Sequence, residues 1–465
     1  MSVKTLHPDY QVHSPKWRLV RDAVEGESAI KRTPERYLPE FIPADPERYE
    51  RYVKRAYFMG VTGRTRAALS GMVFRKDPAV QVPDELELLL HNADGAGTSI
   101  EHISKEAIGS ILDTGRHVFL VDYPTIDDSI DFETEQNIGA RPLILSYHAE
   151  SLINWKYKLI NGRRVLTLAV LVELVHDDES KSDEFDHNIV KNYRVLRLRD
   201  GVYTHQTYDD GGKPKTEEFS PKMAGGMPFD HIPLHIVGAD NNLPDIDDAP
   251  LYDLSILNIA HYRNTADLEE AGYITGQPTL HLDVGDTSPD VFAEQNPGGV
   301  QLGSRSGIIT QGGKVELVQP EERSLLVSLK EAKEQEMVKI GARLIQRGGQ
   351  AETAEAARIN ASAEASTLDQ IVNNLSNGLA GALRDAGLFV GLQGEVLDEI
   401  RYDLNTDFFE TSLDAQHLMA LIQLGDVGII SRSIQRDSIR KGRIHIPSEM
   451  TDEEIDEEAA GNLLQ

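Results

Sequence analysis

The chain has 465 residues and no cysteine, so it is long enough for two or three domains and can hold neither a disulfide nor a thiolate metal site. Its 47 basic and 76 acidic residues leave a net charge of −29, which excludes a protein that grips nucleic acid over its whole surface through phosphates. No apolar run approaches the ~20 residues of a membrane helix, and the polar start lacks a signal-peptide core, so folding in a cytoplasm and no membrane partner are expected.

In chain order, residues 1–145 mix helical periodicity with loops. Tyr49, Tyr52, Ala56 and Met59 recur at helical spacing, with Gly60 and Gly63 as the expected stops. A second helix is expected from Ser99 to Leu112, then Gly115 and a short apolar strand, His117–Val121. From about 143 to 240 the pattern turns to strands: Leu143–Tyr147, Val165–Val175, Asn192–Arg199 and Gly201–Tyr208. Asn161-Gly162, Asp200-Gly201 and Asp210-Gly211-Gly212 are turn signals between them, and the acidic run Asp177–Asp186 has the composition of a solvated hairpin tip. Trp17 and Trp155 are expected in packing.

Pro250 heads a helix carrying Leu251, Leu254, Leu257 and Ala260 and running to about Ala271. A stretch punctuated by glycine and proline follows, with strand-like pieces at Thr279–Leu282 and Lys314–Val318. Pro320 and Glu321-Glu322 open another helix to about Ile345, roughly 37 Å long at 1.5 Å per residue, with Leu326, Leu329, Met337, Ile340 and Leu344 near one stripe. After the break Gln346-Arg347-Gly348-Gly349-Gln350, a long helix is expected from Thr353 to Leu388. Its first half is small and polar; its second half has an apolar face at Leu368, Ile371, Val372, Leu375, Leu379 and Leu383. Residues 411–465 are again helical in pattern and end in an acidic segment in which Thr451 and Glu454 have capping-box spacing. Segregated helical and strand-rich regions make this an α+β chain.

No catalytic constellation is present. Gly212-Lys213 and Gly313-Lys314 are followed by Pro and Val, so neither is a phosphate-binding loop. Gly303-Ser304-Arg305-Ser306-Gly307 has Arg where a nucleophile elbow needs Ser. His231 and His235 are four apart, but Pro233 between them forbids a metal-binding helix, and Asp240–Asp248 lacks the glycine of a calcium loop. The expectation is therefore no enzyme, no catalytic residue, no metal and no cofactor. A metal-dependent hydrolase built on the acidic loops at 176–187 and 240–248 remains a rival to be excluded by metal content.

Several stretches, in constant order, resemble one family of tailed-bacteriophage portal proteins, a family catalogued as a domain of unknown function (DUF4055-like). They include His7-Pro8-Asp9-Tyr10, Tyr37-Leu38-Pro39, Arg55-Ala56-Tyr57-Phe58, Gly71-Met72-Val73-Phe74-Arg75-Lys76, Val121-Asp122-Tyr123-Pro124 and Glu352-Thr353-Ala354-Glu355-Ala356-Ala357-Arg358-Ile359. The resemblance runs from residue 7 to about 390. It implies the portal fold: a wing at 1–249, stem helices at 250–272 and 321–345, a β-containing clip at 273–320, a tunnel loop at 346–353, a kinked helix returning to the wing at 354–410, and a helical crown at 411–465. It further implies a homododecameric ring at one capsid vertex of the virion, assembled in the host cytoplasm. Such a ring passes double-stranded DNA without reading it. Its partners would be the terminase large subunit, head–tail adaptor or tail proteins, and the major capsid or scaffolding protein, with ATP hydrolysis left to the terminase.

On this basis Gln346, Arg347, Gly348, Gly349 and Gln350 are the expected DNA-facing tunnel loop. Taken without the resemblance, they would make an ordinary turn between helices. Lys330, Lys333, Lys339 and Arg343 are candidate channel-lining residues, although the interleaved Glu331, Glu334 and Glu336 suit a salt-bridged face equally well. The acidity has two readings as well: plain solubility, or a surface that repels phosphate and lets DNA slide. The alternative function is a ring or adaptor protein of the head–tail junction that is not the portal.

Overall fold

The computed structural model describes residues 2–39, 45–123, 141–176, 187–276, 279–283, 285, 288–295, 314–318, 324–343 and 367–408. It divides into two units, 1–404 and 405–465; of the second only 405–408 are described, so the expected crown lies outside the described residues.

The first part is helical. Helix α1 (Pro8–Glu25) starts on a proline whose missing N–H costs nothing there, and buries Trp17, Val20 and Ala23. Short helices α2 (Glu27–Arg32) and α3 (Pro34–Tyr37) follow. Helix α4 (Pro46–Arg55) is capped by the Asp45 carboxylate, which accepts from the Arg48 N–H at 3.0 Å. The helix around Tyr49 and Tyr52 thus ends at Arg55, before Gly60. Gly60 caps the next helix, α5 (Val61–Val73), and Gly63 lies inside it. Strand β1 (Ala79–Gln81) and helix α6 (Glu87–His91) lead to α7 (Ile100–Thr114), capped by Ser99 and ended by Gly115 in the left-handed conformation.

Two antiparallel sheets come next. Strands β2 (Arg116–Asp122) and β3 (Leu143–His148) pair directly, and β8 (Leu234–Gly238) joins the other edge of β2. Between them β4 (Leu152–Ile160), β5 (Arg163–His176), β6 (Ile189–Arg199) and β7 (Val202–Tyr208) form a four-stranded meander. Two hairpins close over two residues each, with Ile160 paired to Arg163 and Arg199 to Val202. Both loops have positive φ at both positions: 51° and 79° at Asn161-Gly162, 52° and 78° at Asp200-Gly201. That is the turn whose twist matches the strands, and only Asn, Asp and Gly enter it cheaply. The acidic run Asp177–Asp186 falls outside the described residues.

The last part is built around long helices. Helix α8 (Tyr252–Thr275) buries Ile259, Tyr262 and Ala266 against the N-terminal helices. Strand β9 (Thr279–Leu282), helix α9 (Pro289–Gln295) and strand β10 (Val315–Val318) follow, β9 and β10 pairing antiparallel. Helix α10 (Ser324–Arg343) packs along α8. Helix α11 (Thr367–Phe389) places Leu368, Ile371, Val372, Leu375, Leu379 and Leu383 in the core, none more than 1% exposed. Helix α12 (Glu395–Glu399) and strand β11 (Arg401–Asp403), which pairs with β1, close the first unit.

Helix α11 lies on the β2–β8 side of the three-stranded sheet. Its approach depends on glycine: a Cβ on Gly378 would fall 2.4 Å from a Val237 methyl, and one on Gly381 2.9 Å from the His235 ring. Gly378→Val should therefore overpack this contact and cost about 1–3 kcal/mol, and Leu379→Ala should cost about 2–5 kcal/mol through the cavity it leaves. Denaturant unfolding checks both; unchanged midpoints would mean that α11 is not seated on the sheet.

Candidate functional site

The helix pair α8 and α10 is the part of the chain on which the expected site residues can be placed. Three α10 side chains turn towards α8. Lys333 donates from Nζ to the Ala260 carbonyl at 3.3 Å, the Glu334 carboxylate meets His261 Nε2 at 3.1 Å, and Lys330 lies 3.4 Å from the same carboxylate. Met337 completes this seam, 2% exposed. Burial lowers the pKa of His261, which Glu334 only partly offsets, and burial likewise lowers that of Lys333.

Helix α8 is held from its other side by α4. Glu270, nearly buried, accepts from Arg48 at 3.2 Å and from Arg55, and the Tyr52 hydroxyl donates to Asp267 at 2.7 Å. The guanidinium of Arg55 also lies over the Tyr273 ring at 4.1 Å. A buried carboxylate with two guanidiniums is costly to half-remove, so these contacts fix α8 more through specificity than through net stability.

The outward sides of the pair are unexpectedly apolar. On α10, Leu325 is 68% and Val338 73% exposed, with Val327 and Leu329 also open; on α8, Ile256, Tyr273 and Ile274 are exposed. At roughly 100° per residue, Leu325 and Leu329 share one edge of α10, while Val327 and Val338 share nearly the opposite edge, flanking the seam on both sides.

The basic residues expected along this helix do not share a face. Lys330 and Lys333 turn inward as described. Lys339 is exposed and lies 3.5 Å from Glu336, and Arg343 is the last residue of the helix. Gln346, Arg347, Gly348, Gly349 and Gln350 lie outside the described residues, as do the first half of the long helix and Thr353–Arg358.

A cluster that the sequence did not announce joins α11 to the segment entering β8. Asp385 accepts from both histidines: His231 Nε2 lies 3.1 Å from Oδ1 and His235 Nε2 2.8 Å from Oδ2. The other ring nitrogen of His231, Nδ1, meets Asp230 at 2.8 Å. The hydrogen bond to Asp385 outweighs burial and raises the His231 pKa to about 9. Burial alone would raise the Asp385 pKa, but the bonds from the two histidines pull it down to about 2. The arrangement ties helix to sheet and engages both oxygens of the Asp385 carboxylate. Pro233 rules out a helical His pair, yet it leaves both rings able to reach one acceptor.

Two further networks are structural. Asp113, almost fully buried, lies between Arg21 at 2.8 Å and Arg66 at 3.3 Å, and burial still raises its pKa to about 6. Arg116 lies over the Trp155 ring at 4.3 Å, His7 stacks on that ring at 3.9 Å, and burial lowers the Arg116 pKa to about 10. Arg116 donates to the Pro244 carbonyl at 3.0 Å. Within that loop Asp247 accepts from the Asp240 and Asn241 N–H groups at 2.8 and 3.1 Å. Asp247 thus serves the backbone of its own loop, while Asp245 and Asp248 lie 3.4 and 3.6 Å from Arg164 and Lys16. Among the described residues no group of three or more His, Asp and Glu has a metal-binding arrangement, and no helix is long and apolar enough to cross a membrane.

Residues 250–389 match the family described as "Domain of unknown function (DUF4055)", the family that the ordered motifs resemble. No match was found among the curated proteins. Similar solved structures include the following three. One is titled "Neck of native GTA particle computed with C12 symmetry" (15% identity, 85% of this chain and 93% of that chain, TM-score 0.40). Another is a virion of a native gene transfer agent particle (13%, 86% and 95%, TM-score 0.41). The third is an HK97 family phage portal protein from Corynebacterium diphtheriae (10%, 74% and 90%, TM-score 0.30).

The His–Asp–His fastening has a defined pH signature. The raised His231 pKa contributes stability in full below the ordinary value of 6.5, and this is lost as pH rises through about 9. The lowered Asp385 pKa contributes above its ordinary 3.8 and is lost as pH falls through about 2. Thermal unfolding should therefore show a midpoint that declines from pH 6.5 to 9, and Asp385→Asn should flatten that decline. Parallel profiles for the two proteins would refute the linkage.

Proposed function

We propose that this chain is a portal protein, whose copies close into a dodecameric ring at the unique capsid vertex and form the channel for packaging and ejection of double-stranded DNA. The observation that carries this reading is the coincidence of element order with family match. Helix α8, the β9–β10 pair, helix α10 and helix α11 succeed one another inside the 250–389 segment. In the portal reading α8 and α10 are the stem, 273–320 is the clip, 346–353 the tunnel loop, 354–410 the kinked helix returning to the wing, and 411–465 the crown.

The exposed apolar edges of α10 support the same reading. A ring needs heterologous contacts, in which one patch of a subunit meets a different patch of the next. Leu325 with Leu329 and Val327 with Val338 supply two such patches on opposite flanks of one helix. Exposed apolar side chains concentrated on one rod are what an interface leaves when its partner is removed.

The ring would bear no catalytic residue and no cofactor. Gln346, Arg347 and Gln350, in a loop freed by Gly348 and Gly349, would touch DNA phosphates without reading bases, and Lys339 and Arg343 would stand along the same channel. The clip would meet first the terminase large subunit and then head–tail adaptor or tail proteins, and the outer wing or crown would meet the major capsid or scaffolding protein.

Leu325→Glu combined with Val338→Glu tests the interface. Mass photometry should show the large assembly replaced by monomers or small oligomers, with far-UV circular dichroism unchanged because both residues are solvent-exposed in the single chain. Assembly at wild-type level would mean that these edges do not join subunits.

A further inference from the structure

A cleft of about 800 Å³ opens between α1, α3 and α8, floored by the turn that carries Glu150. Its volume falls within the roughly 300–1,000 Å³ of pockets that enclose a ligand. Its charge is opposite to that of the chain. Four guanidiniums, Arg18, Arg21, Arg36 and Arg263, face one lining carboxylate, Glu150, in a protein of net charge −29.

The floor is already neutral. Arg21 holds Glu150 through two bonds of 3.0 and 3.3 Å and reaches on to Asp113 at 2.8 Å. The remaining three arginines form the rim, and all three are exposed. Arg263 donates its Nε to the Tyr37 carbonyl at 2.7 Å, which holds the guanidinium against α3. Arg36 stands beside the Tyr37 hydroxyl, and Arg18 lies 3.7 Å from Asp22, a loose contact because that carboxylate also accepts from the same hydroxyl. Between rim and floor the walls are largely apolar, formed by Pro15, Leu19, the buried Ile259 and Tyr37, with Tyr10 and Ser14 as the polar members.

We propose that this cleft docks an acidic peptide segment of a partner protein, its carboxylates on the three rim arginines and an adjacent apolar side chain against Pro15 and Leu19. Planar guanidiniums suit carboxylates bidentately, and the apolar walls require a ligand with an apolar side chain beside its charge. A nucleic-acid backbone offers the anion without that side chain and would leave the walls unmet. The site joins α1 and α3 to α8, so an occupant would brace the N-terminal helices against the long helix. The inference stands on the cleft itself and does not depend on ring formation.

The test is fluorescence anisotropy with the full-length protein and three labelled peptides: alternating Glu and Leu, alternating Glu and Ser, and alternating Lys and Leu. The Glu–Leu peptide should bind saturably, weaken with added salt, and lose at least about tenfold in affinity in the triple variant Arg18→Gln, Arg36→Gln, Arg263→Gln. The corresponding triple lysine variant, which keeps the charge but not the bidentate fork, should fall between the wild type and the glutamine variant, and far-UV circular dichroism should show both variants folded. The Lys–Leu peptide should not bind. Absence of saturable binding, or equal binding by the glutamine variant, would overturn the proposal. So would a Glu–Ser peptide or inorganic pyrophosphate binding as tightly as Glu–Leu, because the rim would then be a general anion site.

Discussion

The close seating of α11 on the three-stranded sheet is the constraint on which the first unit depends. The helix brings six large apolar side chains into the core on one face, and each contributes burial of the order of 1.5–3 kcal/mol. That face reaches the sheet only because Gly378 and Gly381 stand where Val237 and His235 need the room. The polar bond at its C-terminal half, Asp385 to two histidines, fixes the helix in rotation and register, which apolar contact alone leaves loosely defined. Strand β11 then pairs with β1, so the end of the unit is stitched to the segment between α5 and α6.

Helix α8 depends on a second balance. It is anchored to the N-terminal helices by Ile259, Tyr262 and Ala266 and by the arginine pair on Glu270. Its partner α10 has a narrow, partly charged seam, in which Lys333 and Glu334 stand beside Met337 and the half-buried Leu326 and Ile340. A helix with so little inward burial and exposed leucine and valine on both flanks gains little from folding in a single chain. Contacts with neighbouring copies would supply what the seam does not, and a ring gives every copy the same neighbours.

Much of this was legible in the sequence for identifiable reasons. Leu143–Tyr147, Val165–Val175 and Asn192–Arg199 read as strands because β-branched and aromatic residues cluster there, and Asn161-Gly162 and Asp200-Gly201 marked their hairpins because few residues tolerate positive φ. The apolar period from Leu368 to Leu383 gave the buried face of α11, and both tryptophans are buried. Other features were hidden. Helix α1 carries Pro15 in its interior, and β4 ends in exposed, lysine-bearing residues. The α10 stripe faces inward at Leu326, Met337 and Ile340, but Leu329 is open to solvent, and Lys330 and Lys333 share the inward side, where α8 offers the Ala260 carbonyl and the His261–Glu334 pair. The His231–Asp385–His235 bond spans about 150 residues, a distance at which no local pattern operates. The expected tunnel loop lies outside the described residues, so Gln346–Gln350 rest on the family resemblance.

Electron microscopy of the purified full-length protein, with mass photometry on the same sample, is the most direct measurement of the central claim. The account predicts closed rings with a central opening and a mass near about twelve times the 51.6 kDa chain. A monodisperse monomer or dimer that persists across salt and protein concentration would contradict it.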